Sequence, residues 1–190
     1  KKDFLNRINR KLTQLSKRPK VLVIGSNGRS GCGASQLLNQ LECEVTGWNR
    51  EETNNPEILK TITEFDIVVN CVFINGPVAP FLTNEQLLNA NKLRVISDVS
   101  CDPNGPHNPL PIYSEGTTID EPVIRVGKRR DVLLTAIDHL PAILPRESSE
   151  EFEEDFLPYL IGLIGNDPKF MSTWDRAEKL FQSKITEVLG

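Results

Sequence analysis

The sequence predicts an α/β protein with a doubly wound parallel sheet. Short apolar runs rich in Val and Ile alternate with segments of helical spacing between Lys20 and Asp98, which is typical of parallel strands joined by helices. A glycine-rich segment, Gly25–Gly33, follows the first run, at the place where such folds turn from a strand into a helix. These two observations together predict a Rossmann-like architecture.

Composition sets limits on the class of protein. The chain has 190 residues, 38% of them hydrophobic, and a formal net charge of -4, as expected for a folded, water-soluble protein. Its apolar runs are far shorter than the ~20 residues that a membrane-spanning helix needs. The four cysteines form no CxxC motif and show no metal-ligand spacing with the two histidines. We therefore expect free thiols, no metal site, no membrane association and a cytoplasmic protein.

The first predicted element is a basic amphipathic helix over residues 1–19. Residues 1–20 carry eight Lys or Arg and one Asp, a net +7, so the rest of the chain carries -11. The apolar residues fall at helical spacing, and Pro19 ends the pattern: Leu5, Ile8, Leu12 and Leu15. Such a helix could bind nucleic acid or an anionic membrane. We favour packing on the protein itself, because only one aromatic residue, Phe4, lies among the basic ones.

The elements that follow are predicted from apolar runs, helical spacing and breakers. Strands are expected at Lys20–Ile24, Glu44–Trp48, Asp66–Val72, Leu93–Asp98, Thr117–Ile119, Val123–Val126 and Val132–Ile137. Helices are expected at Gly33–Leu41, Pro56–Thr63, Thr83–Ala90, Ser149–Ile164 and Ser172–Leu189. A proline-rich loop over residues 103–111 separates the two halves of this pattern. We assign residues 20–147 to the sheet domain and residues 148–190 to C-terminal helices.

The glycine-rich segment reads Gly25-Ser-Asn-Gly28-Arg-Ser-Gly31-Cys-Gly33. Glycines allow a sharp turn and let backbone amides approach a pyrophosphate at the helix N-terminus, where the helix dipole favours anions. The spacing differs from the common GxGxxG, so a glycine-rich turn without a ligand is the alternative. The position where an acid usually holds the ribose hydroxyls is Asn49, and Arg50 follows it. Arg50 could meet a 2′-phosphate, although Glu51 and Glu52 would oppose one, so these residues leave the cofactor open.

Ligands of doubly wound sheets collect outside the carboxyl ends of the strands. This rule selects Phe73 after the third strand, Val99–Asp102 after the fourth and Asp138–Leu140 after the last. Asp102 and His139 are the ionisable groups among them. Each could act as a general acid or base, or could orient a ligand, and we favour the second role.

Several longer motifs are more specific than the glycines. They are Asp98-Val-Ser-Cys-Asp102, Pro106-His-Asn-Pro-Leu-Pro-Ile-Tyr113, Ile137-Asp-His-Leu-Pro141 and Leu144-Pro-Arg-Glu147, together with Asn70-Cys71, Ala79-Pro-Phe81 and Trp174–Phe181. In these motifs the chain resembles the lysine-forming saccharopine dehydrogenases. The resemblance extends from about Lys20 to near the end of the chain. The resemblance implies a part in the NAD-dependent oxidative deamination of saccharopine to L-lysine and 2-oxoglutarate, in lysine biosynthesis.

The resemblance also implies site residues, by position. Cofactor contacts would come from Gly25, Gly28, Arg29, Asn49, Thr53, Phe73, Val99, Ile137, Asp138, His139 and Leu140. Substrate contacts would come from Ser100, Cys101 and Asp102. Three positions depart from the family pattern: Asn49 replaces Asp, which weakens the NAD assignment, Phe73 replaces Tyr, and Ser30 replaces a Cys that in some members pairs with the equivalent of Cys71.

The resemblance further implies that this chain is half of an enzyme. Family members are about twice as long, with an earlier domain that supplies a Lys and His acid–base pair. No catalytic residue is therefore expected here, and the N-terminal half is the expected partner, onto which the C-terminal helices would return. The alternatives are a non-catalytic dinucleotide-binding or sensing domain, and a nucleic-acid-binding role for the basic helix.

Overall fold

A computed structural model describes residues 3–74, 76–127 and 132–189, together with the backbone of residue 2. Lys1 and Gly190, the outermost residues of the predicted first and last segments, lie outside the described residues. The strands are β1 Lys20–Ile24, β2 Glu44–Trp48, β3 Ile67–Asn70, β4 Val95–Asp98, β5 Ile124–Val126 and β6 Val132–Thr135. The α-helices are α1 Lys2–Leu12, α2 Arg29–Gln40, α3 Arg50–Thr53, α4 Pro56–Leu59, α5 Asn84–Leu88, α6 Pro145–Ile164 and α7 Pro168–Leu189. Two 3-10 helices lie at Lys60–Glu64 and Leu140–Ile143.

The six strands form one sheet in the order β2-β1-β3-β4-β6-β5. The first four pairings in that order are parallel, and β5 pairs with β6 antiparallel at the far edge. Strand β2 lies on one side of β1 and β3 lies on the other, so the direction of the strand order reverses between β1 and β3. The carboxyl ends of β1 and β3 therefore flank the crevice in which such sheets bind ligands. The predicted α/β class is confirmed.

The middle of the sheet is apolar because its strands are covered on both faces. Val21, Leu22, Val23 and Ile24 of β1 are all fully buried, as expected of a central parallel strand. The core around them contains mostly Leu, Ile and Val: Leu22, Ile24, Leu59, Ile62, Val68, Leu82, Leu87, Leu93, Ile96, Leu110, Ile112, Val126, Val132 and Leu134, with Trp48, Phe81, Ala90 and Ala136.

Helix α2 begins at Arg29, and the predicted start at Gly33 is wrong. Propensity disfavours glycine inside a helix, so the sequence pattern assigned the segment before Gly33 to the turn. Tertiary packing overrides this preference at Gly31. A Cβ there would lie 2.1 Å from the Gly25 carbonyl oxygen, so only glycine allows the helix to begin this close to the turn.

Other boundaries differ for local reasons. The strand predicted at Thr117–Ile119 is reduced to one bridge, in which Thr117 pairs with Ile137. The helix predicted at Pro56–Thr63 is α4 followed by a 3-10 turn. Both C-terminal helices begin four residues earlier than predicted, at Pro145 and Pro168, because proline fits the first turn of a helix.

The chain divides into two units, Lys1–Asp138 and His139–Gly190. The second unit is a hairpin of α6 and α7 held together by aromatic contacts. The Tyr159 and Phe170 rings meet edge to face at 5.1 Å, and Trp174 Nε1 donates a hydrogen bond to the Tyr159 carbonyl oxygen at 3.0 Å. Gly162 makes room for the Phe170 ring, which a Cβ would approach to 2.4 Å. The division predicted at residues 19 and 147 stays a prediction.

Helix α1 ends at Leu12, so the predicted end near Pro19 is wrong, and Leu15 is exposed beyond it. The apolar face of α1 is only half-buried, since Leu5, Ile8 and Leu12 are partly covered and Phe4 is exposed. A side-chain contact connects it to the sheet domain: Arg18 Nη2 donates to Asn9 Oδ1 at 2.7 Å and lies 3.5 Å from Glu42 Oε2. Among the described residues, no helix is both long and apolar enough to cross a membrane.

Candidate functional site

The turn after β1 requires glycine. Gly25 has φ +77°, and a Cβ at this position would lie 3.0 Å from the Cys71 carbonyl oxygen. Its N–H donates to the Trp48 carbonyl oxygen at 2.8 Å, and its own carbonyl oxygen accepts from the Gly28 N–H at 3.0 Å. The turn is therefore held between the carboxyl ends of β2 and β3, in a backbone conformation that other residues rarely adopt.

Helix α2 presents its N-terminus beside this turn. Gly28 occupies the N-cap position, and no side chain of the described residues caps the first turn. The N–H of Cys32 makes the first helical bond, to the Gly28 carbonyl oxygen at 2.8 Å. The backbone N–H groups before Cys32 cannot be satisfied within the helix, and they combine with the helix dipole to favour an anion.

Asn49 ties the end of β2 to the glycine turn. Its Oδ1 accepts from the Asn27 N–H at 3.1 Å, and its Nδ2 donates to Ser26 Oγ at 3.0 Å. Its backbone N–H donates to Glu52 Oε2 at 2.6 Å, and its carbonyl oxygen accepts from Thr53 Oγ1 at 2.9 Å. The Asn49 side chain thus uses both ends of its amide to position the turn.

A cavity of about 460 Å³ opens beside the turn. It collects residues from the ends of three strands and from the start of α2: Gly25, Gly28, Arg29, Ser30, Asn49, Arg50, Thr53, Cys71, Val72 and Phe73. Six predicted cofactor contacts lie on its wall, namely Gly25, Gly28, Arg29, Asn49, Thr53 and Phe73. The Phe73 ring is 88% exposed, so it offers an open aromatic face at the mouth.

A second cavity, of about 470 Å³, adjoins the first and shares four of its lining residues. The shared residues are Ser30, Cys71, Val72 and Phe73, and the others are Ile74, Asp98, Val99, Ser100, Asp102, Pro106, His107, Asn108 and Pro109. Val99, Ser100 and Asp102, three of the predicted contacts, therefore lie beside the glycine-turn cavity, at the ends of β3 and β4.

A buried carboxylate organises the floor of this second cavity. Asp98, 2% exposed, accepts hydrogen bonds at Oδ1 from Asn70 Nδ2 at 2.9 Å and from the Ser100 N–H at 3.1 Å, and at Oδ2 from the Tyr113 hydroxyl at 2.7 Å. Ser100 Oγ in turn donates to the Val72 carbonyl oxygen at 2.5 Å. The ends of β3 and β4 are thereby joined through side chains as well as through the sheet.

Burial and the Asp98 charge favour the neutral forms of the acids around this network. Burial, reinforced by Asp98, raises the pKa of the Cys71 thiol to about 11. Burial and the hydrogen bond to Asp98 also raise the pKa of Tyr113 above its ordinary value. Tyr113 therefore keeps its proton and donates a hydrogen bond to Asp98, and Cys71 is a neutral thiol at physiological pH.

The remaining predicted contacts lie elsewhere. Cys101 has φ +44°, and its Sγ lies 3.0 Å from the Ala136 carbonyl oxygen. Ile137 is buried beyond β6 and Asp138 is exposed. None of these three is among the described residues that line the two cavities. His139 and Leu140 belong to the second unit. The roles assigned to all five stay predictions.

Sequence reasoning gave no role to Asn70, Cys71 or Tyr113, although it placed them within family motifs. Asn70 is fully buried, and its Oδ1 has no hydrogen-bond partner among the described residues. One feature of the sequence could have identified Asn70: it is a polar residue at the end of an apolar strand that is expected to be buried. A buried amide needs hydrogen-bond partners. Tyr113 gives no such signal, since it meets Asp98 only through the folding of the proline-rich loop.

Comparison with known families decides the relationship of this chain. The sequence profile described as "Alanine dehydrogenase/PNT, C-terminal domain" matches residues 49–187, most of the chain. The chain belongs to this family. The match includes every strand from β3 onward and the residues that follow β2, β3 and β4 and line the two cavities.

Individual proteins are also similar to this chain. The chain is 40% identical over 179 residues to a saccharopine dehydrogenase [NAD(+), L-lysine-forming] of Schizosaccharomyces pombe, covering 90% of this chain and 48% of that protein. It is 42% identical over 173 residues to the Candida glabrata protein of the same name, covering 87% and 46%. An alanine dehydrogenase of Methanococcus maripaludis is 29% identical over 118 residues, covering 62% of this chain and 30% of its own. The chain thus spans about half the length of the saccharopine dehydrogenases that it matches.

Proposed function

We propose that this chain is the NAD(H)-binding part of a saccharopine dehydrogenase of the L-lysine-forming kind. The observation that carries the proposal is the cavity beside the glycine turn. It combines a left-handed glycine, an uncapped helix N-terminus and two arginines on one wall, in a chain about 40% identical to proteins of that name.

These residues fit a dinucleotide. The Gly25 turn lets the backbone approach the ligand closely, and the N-terminus of α2, a helix of 12 residues, suits its pyrophosphate. Asn49 and Thr53 line the cavity and would contact the adenosine part, and Phe73, which lines both cavities, would offer an aromatic face between them. When bound, a nicotinamide dinucleotide supplies the hydride acceptor, and the task of the chain is to hold and orient it.

The second cavity is proposed to take the amino-acid part of saccharopine, beside Ser100 and Asp102. Asp98 fixes the Ser100 backbone, and the bond from Ser100 to Val72 joins this loop to the cofactor side. The described residues lining this cavity include one histidine, His107, and no Lys, so they do not contain a complete Lys and His pair. We therefore place the acid–base pair on the N-terminal half of the enzyme, which is the proposed partner of this chain.

Reconstitution tests the proposal. Purified chain should bind NADH in titration calorimetry, yet should produce no NADH from saccharopine by itself. Adding the separately expressed N-terminal half of a lysine-forming saccharopine dehydrogenase should restore turnover, followed at 340 nm. Binding of NADH with persistent lack of turnover would instead support a non-catalytic dinucleotide-binding domain, and lack of NADH binding would refute both.

A further inference from the structure

The wall of the glycine-turn cavity carries positive charge without an acidic counterpart. Arg29 at the start of α2 and Arg50 at the start of α3 both line it, and both side chains are exposed. Among the described residues, neither guanidinium makes a hydrogen bond or ion pair. The described lining residues of this cavity include no Asp or Glu. This protein is acidic overall, so the charge of the cavity is opposite to that of the molecule.

The end of β2 decides which ribose a dinucleotide site accepts. A carboxylate there holds both ribose hydroxyls and repels a 2′-phosphate, whereas an arginine nearby accommodates that phosphate. The residue at this place is Asn49, and both ends of its amide are engaged with the glycine turn. It therefore adds no negative charge, and one N–H and one oxygen lone pair of its amide remain for the ribose hydroxyls.

The two following acids do not replace the missing carboxylate. Glu52 turns its carboxylate to the Asn49 N–H, at 2.6 Å, where it closes the first turn of α3. Glu51 is exposed, and neither acid is among the described residues lining the cavity. Arg50 is thus the charged side chain of α3 that lines the cavity, beside Asn49 and Thr53.

From this arrangement we infer that Arg50 binds the 2′-phosphate of NADP(H). The chain should therefore bind NADPH at least as tightly as NADH. The inference rests on the proposed dinucleotide site and defines its specificity. A planar guanidinium can give a phosphate two parallel hydrogen bonds, and charge-assisted bonds of this kind are the stronger ones. Arg29, at the N-terminus of α2, serves the pyrophosphate shared by both cofactors.

Titration calorimetry with two pairs of ligands tests this inference. The pairs, NADPH with NADH and 2′,5′-ADP with AMP, each differ by the 2′-phosphate, and the second pair probes the adenosine side alone. Arg50→Gln should lower the affinities for NADPH and 2′,5′-ADP about tenfold, which is the usual effect of losing a charge-assisted hydrogen bond. The affinity for NADH should fall by a smaller factor. Arg7→Gln, on the exposed face of α1, is the matched control and should change none of the four affinities.

Asn49→Asp is the converse variant. A new carboxylate should repel the 2′-phosphate and favour NADH, while Ser26 can donate its hydroxyl to the Asp and keep the turn in place. Thermal unfolding checks that both variants fold. Wild-type chain that binds NADH more tightly than NADPH, or an Arg50→Gln chain that binds NADPH as tightly as wild type, would overturn the inference and leave the proposed function intact. Chain that binds neither cofactor would overturn the proposed function itself.

Discussion

Gly31 and Gly33 are two glycines of one motif with different structural requirements. A Cβ at Gly31 would meet the Gly25 carbonyl oxygen at 2.1 Å, whereas nothing lies within 4 Å of a Cβ at Gly33. Gly31→Ala should therefore force α2 away from the turn, lower the midpoint of urea unfolding and weaken NADH binding. Gly33→Ala should stabilise the fold by up to about 1 kcal/mol, because alanine is the better helix former. Equal effects of the two substitutions on binding would contradict this account of the turn.

At the residue scale, the sequence indicated one group of cavity residues more directly than the other. Gly25, Gly28, Arg29 and Asn49 stand in a local pattern with a known turn geometry, and the structure brings them together around one cavity, although their role in binding stays a prediction. The Asp98 network has no local pattern: its hydrogen bonds join Asn70, Asp98 and Tyr113, which lie on separate elements. Such contacts depend on strand order and loop path, which periodicity does not encode.

At the scale of elements, the strands of the sheet were predicted more closely than its helices. Parallel strands are buried on both faces, so their apolar runs stand out, as for Lys20–Ile24 and Glu44–Trp48. The start of α2 was missed because a tertiary contact, the packing of Gly31 on the Gly25 carbonyl oxygen, decides it. The short helix α3 was missed although its cap is local, a hydrogen bond from the Asn49 N–H to Glu52 three residues later.

The cap of α5 gives a prediction for one element. Thr83 Oγ1 accepts from the Gln86 N–H at 3.4 Å, and Gln86 Oε1 accepts from the Thr83 N–H at 2.8 Å, a reciprocal pair at the helix N-terminus. The helix places Leu87 in the core. Thr83→Ala should lower the free energy of unfolding by about 1 kcal/mol, and Thr83→Ser should retain most of it. Urea titrations measure both, and an Ala variant as stable as the Ser variant would argue against the cap.

At the scale of the whole molecule, the raised pKa values predict loss of stability in alkali. Folding holds Cys71 neutral, raising the pKa of its thiol from 9.0 to about 11. The unfolded chain thus releases this proton first, and the stabilisation present below pH 9 is lost as pH rises towards 11. The raised pKa of Tyr113 acts in the same direction. The urea midpoint should fall between pH 9 and 11.

Two cysteine variants test the origin of this loss. Cys71→Ala should flatten the decline between pH 9 and 11, since it removes one of the groups that titrate differently in the two states. Cys32→Ala, at an exposed thiol, should leave the slope of the wild type. A Cys71→Ala protein with an unchanged slope would assign the alkaline loss to other groups.

The two outer strands of the sheet bear on aggregation. β2, at one edge, has five residues that include the exposed Glu44 and Gly47, and β5, at the other, has three. Glu44 also pairs with Lys20 at 2.7 Å, which places charge beside the open backbone. An edge strand that is short, or that carries charge or glycine, pairs poorly with a strand of another molecule. Growth of β-rich aggregates from the native sheet is therefore disfavoured, even at concentrations where other exposed apolar surfaces begin to self-associate.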